Sequence, residues 1–266
     1  MKIKRLFLII TIFLMLTLLA SGIFLYDQIE IISFVLRGYE ISSTPHFIIL
    51  HKPENRQDIP IVKNAAERTY SIVGQAFNFF PKKKVVIVMF PDSTGLQRKF
   101  NWYADESAQA AYYRGVIYLQ SPGHLLEKTR NPRMAFFQNG PLIHEYTHLV
   151  VDGLTSGNYT QWFTEGVAQF VERKITGYTL HKDFDIDMKL DYTYEEMFNS
   201  FDRLNDVPRA YIKALEMVDL LAKNGGITQI KDILRRLRSG ESANAIFLET
   251  MTNMDSEGKM SADIEY

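Results

Sequence analysis

His144, Glu145 and His148 stand at a spacing that can hold and use a metal ion. A helix advances about 100° per residue, so His144 and His148 project from one face a turn apart, with imidazoles close enough to share a tetrahedral cation. Glu145 lies one step round the helix. Its carboxylate reaches a water on the metal without taking a coordination site, which is the position of a general base. Glu165 follows after sixteen intervening residues, within Trp162-Phe163-Thr164-Glu165-Gly166-Val167-Ala168-Gln169-Phe170. Two histidines and one glutamate leave the fourth tetrahedral position to water, as a catalytic rather than a structural zinc site requires.

Two helices must position these side chains. Pro141 suits the first turn of one, Leu142, Leu149, Val150 and Val151 supply its buried side, and Gly153 is placed to stop it. The second is expected from about Trp162 to Lys174, ending near Gly177.

The His144–His148 motif, HEYTH, the stretch WFTEGVAQFVE from Trp162 to Glu172, and the spacing between them resemble the gluzincin metallopeptidases. These include the thermolysin and aminopeptidase N group, and the likeness is greatest to compact bacterial peptidase MA-like domains. The second stretch is similar to that family's W-x-x-E-G-x-A-x-x-x-E helix. The resemblance spans residues 45–250 as a pattern of elements. It implies an α+β, zincin-like fold in which a small amino-terminal mixed sheet with helices is followed by a mostly helical subdomain. It further implies zinc as cofactor, His144, His148 and Glu165 as ligands, Glu145 as base, and a peptide or protein substrate. Tyr211 stands where related domains carry a tyrosine at the start of a helix after the ligands, and a phenol there would donate to the oxyanion.

The chain departs from the family at two places. Thermolysin-like enzymes place an aspartate four residues after the glutamate ligand to orient a histidine; here that position is Gln169, with Glu172 or Asp152 as substitutes. The aminopeptidase branch carries a G-x-M-E-N strand whose glutamate holds the free amino terminus of the substrate. Arg114-Gly115-Val116-Ile117-Tyr118-Leu119 has no acid, so aminopeptidase activity is not implied.

With 266 residues and 46% hydrophobic content, the chain can bury one substantial core, and one catalytic domain is the economical count. A net charge of -1 gives no reason to invoke nucleic acid. The absence of cysteine excludes disulfides, thiol catalysis and thiolate-bound metal. His46, His51, His124 and His181 lack paired spacing and read as surface or structural residues. Asp183, Asp185, Asp187 and Asp191 resemble half of a calcium loop, but the glycine and terminal glutamate of an EF-hand are missing, so a solvated acidic loop is expected there.

Lys2, Lys4 and Arg5 precede an uncharged, apolar run of 21 residues from Leu6 to Tyr26, about the length that crosses a bilayer. The expected arrangement is a cytoplasmic tail over residues 1–5, a signal anchor over 6–26, a juxtamembrane connector over 27–44 that reads as an interfacial or juxtamembrane helix, a catalytic domain over 45–250 outside the cytoplasm, and a polar tail over 251–266. A cleaved signal peptide, using the small residues Ala20-Ser21-Gly22, is the alternative and would release the domain.

Phe47–Leu50 and Val85–Phe90 read as strands on either side of a long amphipathic helix, Ile59–Phe80, with Pro60 in its first turn. Ala111–Leu119 reads as one aromatic and β-branched strand, and by resemblance it would be the sheet edge that pairs with a bound peptide. Tyr211–Leu221 and Ile227–Leu237 read as helices. The reading of the whole is a membrane-anchored, extracytoplasmic zinc endopeptidase. Two alternatives remain open: a noncatalytic module that binds peptides, and a zinc hydrolase of a non-peptide bond in the cell envelope.

Overall fold

The computed structural model describes residues 26–102, 109–125, 129–179 and 192–256, which form an α+β protein with a small mixed sheet. They divide into two compact units, one from residues up to 63 together with 83–127, the other from residues 64–82 together with 128 onward. Among the described residues no helix is long and apolar enough to cross a membrane. The run from Leu6 to Tyr26 lies outside them apart from its last residue, as do the acidic loop and His181.

The first unit is built on five strands: β1 (Glu40–Ser43), β2 (Phe47–His51), β3 (Val85–Phe90), β4 (Ala110–Tyr113) and β5 (Val116–Gln120). Their order is β1-β2-β3-β5-β4; β2, β3 and β5 run parallel, and the two outer strands are antiparallel to their neighbours. All six residues of β3 are buried, which explains why Val85-Val86-Ile87-Val88-Met89-Phe90 reads as an unbroken apolar run. Helix α1 (Tyr26–Leu36) precedes the sheet, α2 (Ile59–Phe77) connects β2 to β3, and α3 (Ser93–Phe100) follows β3.

One expectation about this unit is corrected. Ala111–Leu119 is a hairpin and not one strand, because Arg114 and Gly115 both take positive φ (48° and 83°), the geometry of a two-residue turn matched to strand twist. The edge is therefore β4, while β5 is internal. The segment 27–44, expected to be a helical connector, does carry a helix, and it packs on this unit. Its α1 drops Phe34 into a cluster with Tyr39, Leu50, Phe90, Leu96 and Tyr118, and β1 pairs along β2. Glu30 is buried beside Phe34, takes 2.9 Å contacts from Lys99 Nζ, and accepts a hydrogen bond from the Tyr118 hydroxyl. A buried carboxylate is stable only with such partners, so the ion pair holds α1 to α3 and the Tyr118 hydrogen bond holds it to the sheet.

The second unit is helical: the part of α2 from Asn64 on, α4 (Pro132–Asn139), α5 (Leu142–Thr155), α6 (Gln161–Thr176), α7 (Tyr194–Ser200), α8 (Val207–Ala222), α9 (Ile227–Arg238) and α10 (Ala243–Ser256). Gly153 does not stop α5. The helix continues to Thr155 and ends where Ser156 and Gly157 take left-handed φ (59° and 82°). Gly153 is small because a Cβ there would lie 2.5 Å from the Phe79 ring. The end of α6 falls as expected, at Gly177 with φ 75°.

Replacing Phe34 by alanine tests whether α1 belongs to the fold. The expected loss is about 3 kcal/mol, the usual range for an excavated buried phenylalanine, and it would be read as a lower urea midpoint of the full chain in detergent. An unchanged midpoint would restore the connector.

Candidate metal centre

Helix α6 is buried on all sides from Trp162 to Glu172. It nevertheless carries Glu165, Gln169 and Glu172 at i, i+4 and i+7, a single polar stripe in a wholly buried helix. Each residue of that stripe has a defined partner on α5 or α8.

Glu165 meets the histidines of α5. Its Oε2 lies 3.2 Å from His144 Nε2 and 3.6 Å from His148 Nε2, and the imidazole centroids are 4.8 Å apart. One potential ligand atom from each of the three residues falls within 4.8 Å of the others, so His144, His148 and Glu165 form a group that could hold a metal ion. Each imidazole keeps its second nitrogen occupied. His144 Nδ1 faces Glu172 Oε2 at 3.4 Å, and His148 Nδ1 shares a 2.7 Å hydrogen bond with the Thr164 hydroxyl. Both Nε2 atoms are thereby turned inward.

Gln169 does not orient a histidine. Its Nε2 donates to the carbonyl oxygen of Tyr211 at 2.7 Å and to that of Glu165 at 3.3 Å, tying α6 to the first turns of α8. The histidine-orienting role passes to Glu172. Asp152 instead accepts the hydroxyl of Tyr159. Helix α8 can approach because residue 166 is glycine: a Cβ there would sit 2.3 Å from the Ala214 carbonyl oxygen. This close crossing brings the Tyr211 hydroxyl to hydrogen-bond Glu165, with Glu145 near enough for its charge to be felt. Glu145 is itself buried in the first turn of α5.

The electrostatics follow from burying so many charges together. Burial alone would lower the His144 pKa, but hydrogen bonds to Glu165 and Glu172, and their charges, hold it well above its ordinary value. Burial alone would raise Glu165, but the charge of His148 and the hydrogen bonds from both imidazoles keep it far below the usual carboxylate range. Tyr211 is pushed well upward by burial, then by the charges of Glu165 and Glu145, so its phenol stays protonated and able to donate at neutral pH.

The structure thus brings together all five residues selected from the sequence, His144, Glu145, His148, Glu165 and Tyr211. Sequence reasoning missed Thr164 and Tyr159. Thr164 carries a weak signal, since it adjoins Glu165 and so faces the same helix pair; Tyr159, in the link between α5 and α6, carries none. Burial and the hydrogen bond to Asp152 raise Tyr159 to about 12, with the charge of Glu165 adding to the shift. Comparison of the chain with models of protein families and with curated proteins finds no match.

Two measurements follow. Glu172→Gln should weaken metal binding roughly 10- to 100-fold, the usual effect of losing a histidine-orienting carboxylate, whereas Asp152→Asn should change it little. Equal effects would return the orienting role to Asp152. Because Glu165 and Glu172 hold His144 protonated, a metal ion must displace that proton. Titration calorimetry near pH 7 in two buffers of different ionisation enthalpy should count about one proton released, and affinity should rise with pH until the His144 pKa is passed.

Proposed function

We propose that the chain is a zinc metallopeptidase of gluzincin type, with a zincin-like fold, anchored in a membrane by residues 6–26 and acting outside the cytoplasm. The observation that carries this reading is the convergence of two imidazoles and a carboxylate, at 3.2 and 3.6 Å, beside Glu145 and Tyr211. A tetrahedral zinc with bonds of 2.0 to 2.2 Å asks for ligand separations of about 3.3 to 3.6 Å; the two histidine–carboxylate separations are close to that, all three ligand atoms lie within 4.8 Å of one another, and the donor set suits the ion in its chemistry.

Zinc held there would supply Lewis-acid polarisation of a scissile carbonyl and would acidify a water. The chain's own groups account for the proton movements. Glu145, outside the ligand set, accepts the proton of the attacking water at its carboxylate and then delivers it to the leaving amine. Tyr211, kept protonated, donates its hydroxyl toward the oxygen on which negative charge develops. The histidines are held by Glu172 and Thr164, so little reorganisation accompanies the reaction. With no acid on β5 to capture a free amino terminus, cleavage within a peptide is favoured over aminopeptidase action. The apolar run after Lys2, Lys4 and Arg5 supports the anchor and the outward orientation.

A peptide-library digestion by the purified full chain, with and without chelator, tests the activity, and three variants separate the roles. Glu145→Gln should keep metal and fold while losing about 10²- to 10⁴-fold in kcat. Tyr211→Phe should lose about 10²- to 10³-fold in kcat with KM little changed. His148→Ala should lose the metal itself. Chelator-resistant cleavage would sink the proposal, and so would a Glu145→Gln protein as active as the wild type.

A further inference from the structure

The second unit has a recess that neither the metal group nor the proton movements use. A cavity of about 220 Å³ lies at the start of α6, walled by Trp162, by the end of α7 and by the single 3₁₀ turn that follows it, Phe201–Arg203. Its apolar wall is Trp162, Met197, Phe198 and Phe201, the first two buried and the other two half-buried. The two charged residues that line it, Asp202 and Arg203, are opposite in sign, and Arg203 also donates to the Asn199 carbonyl oxygen at 3.3 Å. The recess therefore offers an ionised group no net charge to pair with.

Two contacts set this recess beside the metal group. Trp162 precedes Glu165 by three residues, so both stand on one side of α6, about 4.5 Å apart along its axis. The Phe201 ring lies 5.8 Å from the Tyr211 ring, tilted by 36°, and the Tyr211 hydroxyl hydrogen-bonds Glu165. One phenylalanine thus walls the recess and packs on the phenol assigned to the oxyanion. Asp202, next to it, is near enough for its charge to be felt at Tyr211. An extended peptide advances about 3.3 to 3.6 Å per residue, so a chain with its scissile carbonyl at the metal group brings a flanking side chain within reach of a recess one helical turn away.

We infer that the recess seats one large apolar side chain, aromatic or aliphatic, of a residue flanking the scissile bond. The inference rests on the peptidase reading. The cavity is smaller than the roughly 300 to 1,000 Å³ of sites for whole small molecules, which suits a single side chain and not a cofactor. Large apolar side chains are mostly buried in folded proteins, so the substrate class is an unfolded or extended segment that exposes them.

The purified full chain is given peptides, blocked at both ends, that carry phenylalanine, leucine or alanine at the residue on either side of the cleaved bond. On one side, kcat/KM for phenylalanine or leucine should exceed that for alanine about 10- to 200-fold. Ser200→Phe, which adds a ring to the lining of the recess, should bring that ratio down toward one. A second readout needs no turnover. The chain has two tryptophans, so Trp102→Phe leaves Trp162 alone to report on the recess. N-acetyl-phenylalanine amide should change its emission saturably, N-acetyl-alanine amide should not, and adding Ser200→Phe should abolish the response. Cleavage with a ratio near one, or with a ratio that Ser200→Phe leaves unchanged, overturns the recess as a specificity site and leaves the peptidase reading standing. A saturable Trp162 response without cleavage of any peptide overturns the peptidase reading and upholds the recess as a side-chain site. Neither cleavage nor a response overturns both.

Discussion

The second unit is organised around one costly act, the burial of the Glu165 carboxylate within the stretch of α6, Trp162 to Glu172, that has no solvent face. An ionised carboxylate in such a place is tolerated only when partners replace its hydration. Here the partners are His144 and His148 from α5 and Tyr211 from α8, so satisfying one charge fixes the mutual positions of three helices. The stripe of α6 extends the same logic along its length. Glu172 reaches back to His144, and Gln169 reaches across to the Tyr211 carbonyl oxygen. Helix packing and site geometry are here the same set of contacts.

Close approach is the other half of that arrangement. Glycine within a helix is worth about 1 kcal/mol less than alanine, so its presence at 166, next to Glu165, needs a reason. The Ala214 carbonyl oxygen, 2.3 Å from where a Cβ would be, supplies it. The same residue choice lets the Tyr211 hydroxyl come within hydrogen-bonding reach of Glu165, because Tyr211 precedes Ala214 by one turn and lies over the same stretch of α6. Gly153 plays the equivalent part for the Phe79 ring on α5.

These details mark the limit of what the residue pattern discloses. His144, Glu145 and His148 were legible because their helical spacing is the one that a metal ion and a general base would require, and Glu165 because its helix has a recognisable pattern of buried residues and a glycine end. The partners of the histidines were only narrowed. Gln169, Glu172 and Asp152 are all polar residues within reach by spacing, and what separates them is the angle at which α5 crosses α6, a tertiary quantity. The hairpin at Arg114-Gly115 was hidden for a different reason: arginine rarely takes positive φ, so the turn signal was half missing and the two short strands merged into one apolar run. Gly153 misled because a glycine that admits a neighbour's ring and a glycine that ends a helix look alike in sequence. The helical character of 27–36 was legible in its apolar residues, but its docking through Glu30 was not, because the buried partners Lys99 and Tyr118 lie far along the chain.

The two units use buried glutamates differently, and the difference bears on function. Glu30 is answered by Lys99 of α3 and by the Tyr118 hydroxyl of β5, and the result is a fixed joint that ties α1 to a second helix and to the sheet. Glu165 and Glu172 are answered by histidines, whose charge can be given up. A lysine at either histidine position would neutralise the carboxylates as well or better, but it could not exchange its proton for a metal ion, since an ammonium that remains protonated has no lone pair to offer. His144, held between Glu165 and Glu172, and His148, held between Glu165 and the Thr164 hydroxyl, can each carry a proton or coordinate a cation from the same position. Stability alone would have been served by the Glu30 solution; the choice of histidine at two positions one turn apart is what favours a metal centre over a structural ion-pair network.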